Sequence, residues 1–428
     1  MNQVIEMVRT TRFFGCALLL ACAVFTGCGK TDPPQFKLNL PKMELTTPPI
    51  AVDQQQTIAN ALVAMFGTPD EPYVLPESGL DLAKIRLAAG PVASDQVGVQ
   101  RGLYRQHCVH CHGTTGDGMG PSASILDPYP RDYRPGLYKY KSTDRAAMPT
   151  HADLTRILRE GVMGTAMPSF ALLAPSEIDA LVEYVRYLSL RGQVETKLIA
   201  ATADLGVGEK LTLDRALLVD DILTTEAGKW STATEQIINP ADRPEIALED
   251  SIHKGRELFY GAKANCVKCH GPTALGDGVT TDFDDWNKPL GEKVDGLKKA
   301  KDALANLNSQ RSSASDGEAI KVLDEQIASA KEQITSLETL VNELQSQMLP
   351  LRTITPRNLR LGIYRFGRRP LDLYRRMHSG INGAPMPGTN GTLQPDEMWS
   401  LVDYIRSLPF EPINRVQPGP KVAGLSQH

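Results

Sequence analysis

The sequence predicts an all-α protein of two tandem domains of one design, the second interrupted by an antiparallel helical hairpin. Three observations predict it. A Cys-x-x-Cys-His pentapeptide occurs twice, as Cys108–His112 and Cys266–His270. A longer internal repeat surrounds both copies. A run of apolar residues with heptad spacing intervenes in the second half alone.

The pentapeptide is the attachment pattern of a c-type haem. Each sulfur adds across a haem vinyl group and the histidine ligates the iron. On the first turn of a helix Cys108, Cys111 and His112 sit at i, i+3 and i+4, so all three face one flat macrocycle. Cys266, Cys269 and His270 repeat the arrangement. Two motifs therefore predict two covalently held haem c groups. A zinc site needs four ligands, and here each Cys-x-x-Cys stands alone in its half. A thioredoxin-like motif needs a βαβ context and no following histidine.

The 428 residues suggest two or three domains. A net charge of -4 gives no indication of a nucleic-acid partner. Of the seven cysteines, four belong to the two motifs. The others, Cys16, Cys22 and Cys28, lie in a targeting segment, so none remains for a structural disulfide. Arg9 and Arg12 precede an apolar run from Phe13 to Phe25 that is too short to span a bilayer as a helix. The run ends in Phe25-Thr26-Gly27-Cys28, which resembles a bacterial lipobox. Phe25 stands where leucine is usual, and an ordinary cleaved signal peptide is the alternative. The reading is a signal peptide over 1–27 and a lipidated Cys28 holding the chain to a membrane, inner or outer. The folded part then lies in the periplasm.

Residues 28–93 read as anchor and tether, with a short helix at Gln54–Phe66 and breaks at Pro69, Pro72 and Pro76. The first domain is expected over 94–191. A structured linker over 192–249, packed on one or both domains, is expected to carry a helical stretch from Leu213 to Lys229. The second domain is expected over 250–410, and a proline-containing tail over 411–428.

The repeat extends well beyond the pentapeptides. Pro130-Arg131-Asp132-Tyr133-Arg134 corresponds to Pro356-Arg357-Asn358-Leu359-Arg360. Gly136 to Tyr140 corresponds to Gly362 to Phe366, and Asp153 to Pro168 aligns without gaps on Asp372 to Pro387. Pro175-Ser176-Glu177 recurs as Pro395-Asp396-Glu397. Each half resembles a class I c-type cytochrome, with its Cys-x-x-Cys-His helix, middle loops, Met-Pro loop and C-terminal helix. The resemblance spans roughly Gly98 to Leu190 and Asp250 to Leu408, less an insertion. It implies an all-α fold built around the haem, and it implies that Tyr184 and Tyr404 pack near Gly102 and Gly255.

A second axial ligand decides the chemistry, since His plus Met leaves the iron no open position and suits electron transfer. Met148, Met163 and Met167 are the candidates in the first half. Met167 pairs with Met386 in the repeat, whereas Met163 pairs with Asn382, so His112, Met167, His270 and Met386 are the expected iron ligands. His151 and His378 are competitors, but His378 pairs with Arg159. Arg131, Arg134, Arg357 and Arg360 recur in both halves and could grip haem propionates with bidentate forks, or be ordinary surface charge.

The insertion spans 284–350. Ile320, Leu323, Ile327, Ala330, Ile334, Leu337, Val341, Leu344 and Met348 keep the seam spacing, and Leu297, Ala300, Leu304 and Leu307 repeat it before a turn at Ser312–Gly317. A hairpin of this kind is expected to serve as a docking arm, or else to pack on its own domain or dimerise. The expected function is electron transfer through two c-type haems in a periplasmic respiratory chain, without catalysis. Expected partners are redox proteins such as a quinol-oxidising complex and a terminal oxidase. Rival readings are a haem subunit of a stable dehydrogenase or oxidase complex, and a di-haem peroxidase.

Overall fold

Helices carry the fold, as the sequence predicts. Among the described residues the sheet content is one antiparallel pair, Ala93–Ser94 with Gln100–Arg101, plus isolated bridges. The structure is a computed structural model that describes residues 33–206, 208–278, 283–284 and 287–412. The expected signal peptide, Cys28 and most of the tail lie outside the described residues. The account below concerns the unit from Phe36 onward.

The first half is larger than its sequence boundaries. Helices α1 (Leu40–Glu44), α2 (Val52–Phe66) and α3 (Leu82–Ala88) all pack on α7 (Pro175–Ala203). Ile58, Leu62 and Phe66 recur every four residues along α2 and are buried in the same core as Ile85 and Tyr187. Each such side chain contributes roughly 1.5–3 kcal/mol of burial. The hydroxyl of Tyr187 donates to the Phe66 carbonyl, and the Asn39 N–H donates to the buried Glu195 carboxylate at 2.6 Å. The residues expected to be a tether are therefore part of the domain.

The expected boundary at Arg191 also moves. α7 runs on for twelve residues past it, burying Val194, Leu198 and Ile199. Gly192 suggests a break in sequence, yet it sits mid-helix for a packing reason. A Cβ there would lie 2.3 Å from the Arg134 Cα, so only glycine lets that strand of backbone cross the helix. Beyond it, a π-helical segment (Ala216–Leu223) runs into α8 (Thr224–Ser231), and Val219, Leu223 and Trp230 close the same core. The expected linker is thus largely a lid on the first half.

Between these elements lie α4 (Leu103–His107), α5 (Val109–His112) and α6 (His151–Glu160). Thr150 and Asp153 close a reciprocal capping box at the start of α6. The second half repeats the set with α9 (Leu248–Tyr260), α10 (Val267–His270), α13 (Pro370–Ser379) and α14 (Pro395–Ser407). α9 crosses α14 with Gly255 against the Ser400 carbonyl and the Tyr404 Cβ, as the resemblance implies. Gly102 differs, because it sits against Pro91 and Val92 while Tyr104 meets Tyr184, ring centroids 4.8 Å apart.

The insertion forms two long helices, α11 (Lys288–Ser313) and α12 (Gly317–Gln347), joined by a tight turn. Ile327, Ile334, Val341 and Leu344 of the seam are buried, and Lys301–Glu338 and Arg311–Asp324 ion pairs tie the helices antiparallel. The apolar seam lies within the hairpin, and α12 also packs on α1. The outward faces are mostly polar and exposed.

Replacing Gly192 by Ala tests the helix crossing. Propensity alone would favour alanine by about 1 kcal/mol. The clash with the Arg134 backbone is expected to outweigh this and lower stability by roughly 1–3 kcal/mol, read as a lower urea midpoint.

Candidate functional site

α5 presents its histidine inward because Cys108, Cys111 and His112 lie on one side of a short helix. All three line a cavity of about 380 Å³ together with Tyr133, Leu154, Leu158, Val162, Met167, Phe170, Leu181 and Val185. His112 is buried and stacks on Tyr133, ring centroids 4.8 Å apart. Its Nδ1 lies 3.1 Å from the Arg131 carbonyl, so Nδ1–H is the donor and Nε2 keeps the lone pair a metal needs. Burial pushes the imidazole down to about 4, outweighing the carbonyl bond. The ring is therefore neutral near neutral pH, the form that ligates iron.

The second half repeats this geometry. His270 Nδ1 lies 3.1 Å from the Arg357 carbonyl, and burial lowers the ring's pKa. Burial likewise pushes the Cys108 and Cys266 thiols up to about 12. Among the described residues no group of three or more His, Cys, Asp or Glu could hold a metal ion. The pattern is that of a flat apolar cofactor gripped by thiols and one imidazole.

The Met-Pro loops are also copies. Val162 N–H donates to the Met167 carbonyl and Ile381 N–H to the Met386 carbonyl, both at 3.1 Å. Phe170 N–H meets the Leu158 carbonyl and Thr389 N–H the Met377 carbonyl, both at 2.8 Å. Of the three candidate methionines, Met167 alone lines the cavity. Met163 is exposed, and the Met148 sulfur accepts from Gln193 at 3.7 Å on the far side of the core. Met386 and Cys266 both pack, partly buried, against the second core. His151 sits on the surface, paired to Asp179 at 2.8 Å. His378 faces Asp144 of the other half at 3.7 Å.

Arg134 and Arg360 follow neither of the two readings open for the repeated arginines, since both are engaged within the protein and turned from the cavity. Asp132 and Asn358 turn the chain by accepting from the Arg134 and Arg360 N–H groups at 2.9 and 3.0 Å. The turn aims the second arginine of each pair away. Arg134 forks onto Asp132, and Arg360 is held by the Thr273 and Glu411 carbonyls and the Glu411 carboxylate. Arg131 stays on the cavity wall.

The two sites meet across an approximately two-fold interface between the halves. Tyr140 and Phe366, equivalent in the repeat, stack on one another with centroids 6.0 Å apart and planes at 18°. Gly164 lies against the Arg357 guanidinium, and its counterpart Gly383 lies against that of Arg131. Arg145 donates to the Met386 carbonyl at 3.2 Å and Asn382 donates back to the Arg145 carbonyl at 2.6 Å. Arg156 forks onto Asp372 at 2.8 and 3.0 Å.

Two cations that sequence reasoning missed complete this face. Lys139 lines the first cavity, and Arg365 is its counterpart. Lys139 is lowered to about 8, by burial first and then by Arg131, with Arg365 of the other half adding to it and Asp284 opposing. Arg365 Nε is buried without a partner in the structure. Arg131, Lys139, Arg357 and Arg365 thus crowd positive charge between the two sites. Their signal in sequence is the shared register of Gly136-Leu137-Tyr138-Lys139-Tyr140 and Gly362-Ile363-Tyr364-Arg365-Phe366.

The insertion belongs to the second half but its base covers the first cavity. The Tyr129 hydroxyl donates to the Pro350 carbonyl at 3.0 Å, Arg352 donates to the Leu126 carbonyl at 2.6 Å, and its guanidinium lies 4.1 Å over the Tyr129 ring. Leu126 and Tyr129 are both cavity-lining.

Fold and site together give the first half the features of a c-type cytochrome domain, which supports electron transfer by covalently held haem. A family model described as "Cytochrome C oxidase, cbb3-type, subunit III" matches residues 98–185, the core of the first half. No curated protein matches the chain. A chain of the Kuenenia stuttgartiensis reducing HAO-like protein complex is similar at 21% identity over 74% of this chain and 98% of its own, with a TM-score of 0.42.

Burial raises the Asp372 carboxyl, but its bonds to Arg156 and Arg369 more than offset this and leave it below its ordinary value. A carboxyl depressed on folding adds stability above the unfolded value near 3.8, and that contribution is lost as pH falls through the folded value. Arg156→Ala is expected to remove about 2 kcal/mol at pH 7. Its difference from wild type should shrink in acid titration followed by urea unfolding.

Proposed function

We propose that this chain is a di-haem electron carrier. The observation that carries the reading is the duplication of one site in full. Each half contributes a motif whose histidine Nδ1 is bonded to the carbonyl of an arginine 3.1 Å away, and each has the same methionine loop. In this reading Cys108 and Cys111 hold one haem and Cys266 and Cys269 the other. His112 with Met167, and His270 with Met386, supply the axial atoms. When bound, each haem supplies a one-electron couple between ferrous and ferric iron.

The protein residues then have separate tasks. The apolar cavity wall keeps water from the cofactor. The Nδ1–carbonyl bonds fix both imidazole tautomers. Arg131, Lys139, Arg357 and Arg365 are suited to hold four propionates, which would otherwise crowd negative charge at the same place. With two Met-Pro loops, peroxidase chemistry has no free iron position.

The setting follows from the N-terminal sequence. No helix among the described residues is long and apolar enough to cross a membrane, and anchoring is assigned to lipidated Cys28 in the periplasm. Partners are a quinol-oxidising complex as donor and a terminal oxidase as acceptor. The hairpin serves as a docking arm through its polar outer faces. A second reading, a haem subunit of a stable oxidase complex, draws on the description of the matching family model, and co-purification of a fixed partner would distinguish it.

The test is haem content and ligation. Alkaline pyridine spectra are expected to give two haems per chain. Met167→Ala and Met386→Ala are each expected to lower the midpoint of one haem and turn it partly high-spin. One haem per chain, or two methionine variants with wild-type spectra and midpoints, would sink the proposal.

A further inference from the structure

The two halves are near copies around their sites, and one departure puts a cation where the first cavity has an apolar side chain. Ile157 of α6 lines the first cavity. The gapless repeat places Arg376 of α13 at the same position. Its guanidinium is turned into the protein rather than to solvent. It donates to the carbonyls of Arg365, Gly367 and Asp372, bridging α13 to the segment whose first-half counterpart, Lys139 to Lys141, lies beside the first cavity. Tyr140 and Tyr364 stand close enough to act on it electrostatically.

The surrounding charges do not cancel it. Asp372 is the carboxylate that acts on it, and Arg156 and Arg369 already fork onto that group. Arg156 also pairs with Glu160 at 2.9 Å, so three guanidiniums stand against two carboxylates, and Arg376 itself meets only carbonyl oxygens. The first half has a buried cation of its own, Lys141, but its ammonium is directed to the carbonyls of Asp144, Arg145 and Ala147 and is matched by Asp153 and Asp144. Asp153, the counterpart of Asp372, accepts from Ser142 and Thr150 and from no guanidinium in the structure.

Oxidising a haem adds one positive charge to its site. A fixed cation in a low-dielectric wall opposes that charge and favours the ferrous state. We propose that Arg376 makes the second haem the higher-potential member of the pair, so that a shared electron resides in the CVKCH half. This rests on the di-haem reading above. It gives the chain a direction, with electrons arriving on the first haem and dwelling on the second.

The test is a spectroelectrochemical titration of the full-length, haem-loaded chain. Two one-electron steps are expected. Arg376→Gln is expected to lower the higher midpoint alone, reducing the electron-sharing constant by about tenfold, or about 59 mV for a one-electron couple. Arg376→Lys keeps the charge while losing the fork, and is expected to keep most of the separation. The higher step is assigned by Met386→His, which should displace that step and not the other. Unmoved midpoints in Arg376→Gln, a shift of the lower step, or an equal collapse in Arg376→Lys would each overturn the assignment. Failure of Arg376→Gln to fold leaves the Lys and Met386→His variants to decide whether the higher step belongs to the second site. A haem content below two would overturn the di-haem reading instead.

Discussion

A histidine that commits Nδ1–H to a backbone carbonyl has only Nε2 left to offer a metal. That constraint organises both halves of this chain. The carbonyls belong to Arg131 and Arg357, so the segment that orients each imidazole also brings an arginine side chain to the site. The Asx turn that follows each arginine returns the chain toward Tyr138 and Tyr364. Tyr138 and Ser189 share a 2.6 Å hydrogen bond and the Tyr364 hydroxyl donates to the Ile405 carbonyl at 2.8 Å. The bond holds each imidazole in one orientation, in the way outer-shell partners position metal ligands generally.

Duplication of that unit produces an interface that resembles a symmetric dimer within one chain. Self-complementary contacts such as Tyr140 on Phe366 lie near the axis, while off-axis contacts come in pairs, as with the Gly164 and Gly383 contacts. A covalent tandem is free to break the symmetry, and this one does. Arg156 reaches Asp372, whereas its counterpart Arg375 donates instead to the Ile238 carbonyl at 3.0 Å. Ile157 faces Arg376 across the repeat. The second break puts a cation in the second half where the first half has an apolar side chain.

The additions outside the repeat protect the first half. The N-terminal helices and the segment after α7 enlarge its core, and the base of the hairpin closes over Leu126 and Tyr129. The seam of the hairpin pairs its two long helices, and contacts of α12 with α1 and of its base with Tyr129 tie it to the first half.

The pentapeptides, the Met-Pro loops and the repeat were legible in the sequence alone, because covalent attachment and axial ligation require fixed residue types at fixed spacing. The seam of α11 and α12 was legible for the same reason of periodicity. Tertiary structure decided what spacing cannot encode. It turned Arg134 and Arg360 away through a side-chain-capped turn, and it carried α7 through Gly192 because another backbone crosses there. It gathered Arg131, Lys139, Arg357 and Arg365, far apart in sequence, at one interface. Charge acts through space, so the asymmetry of the CVHCH and CVKCH halves emerges only when the two are packed together.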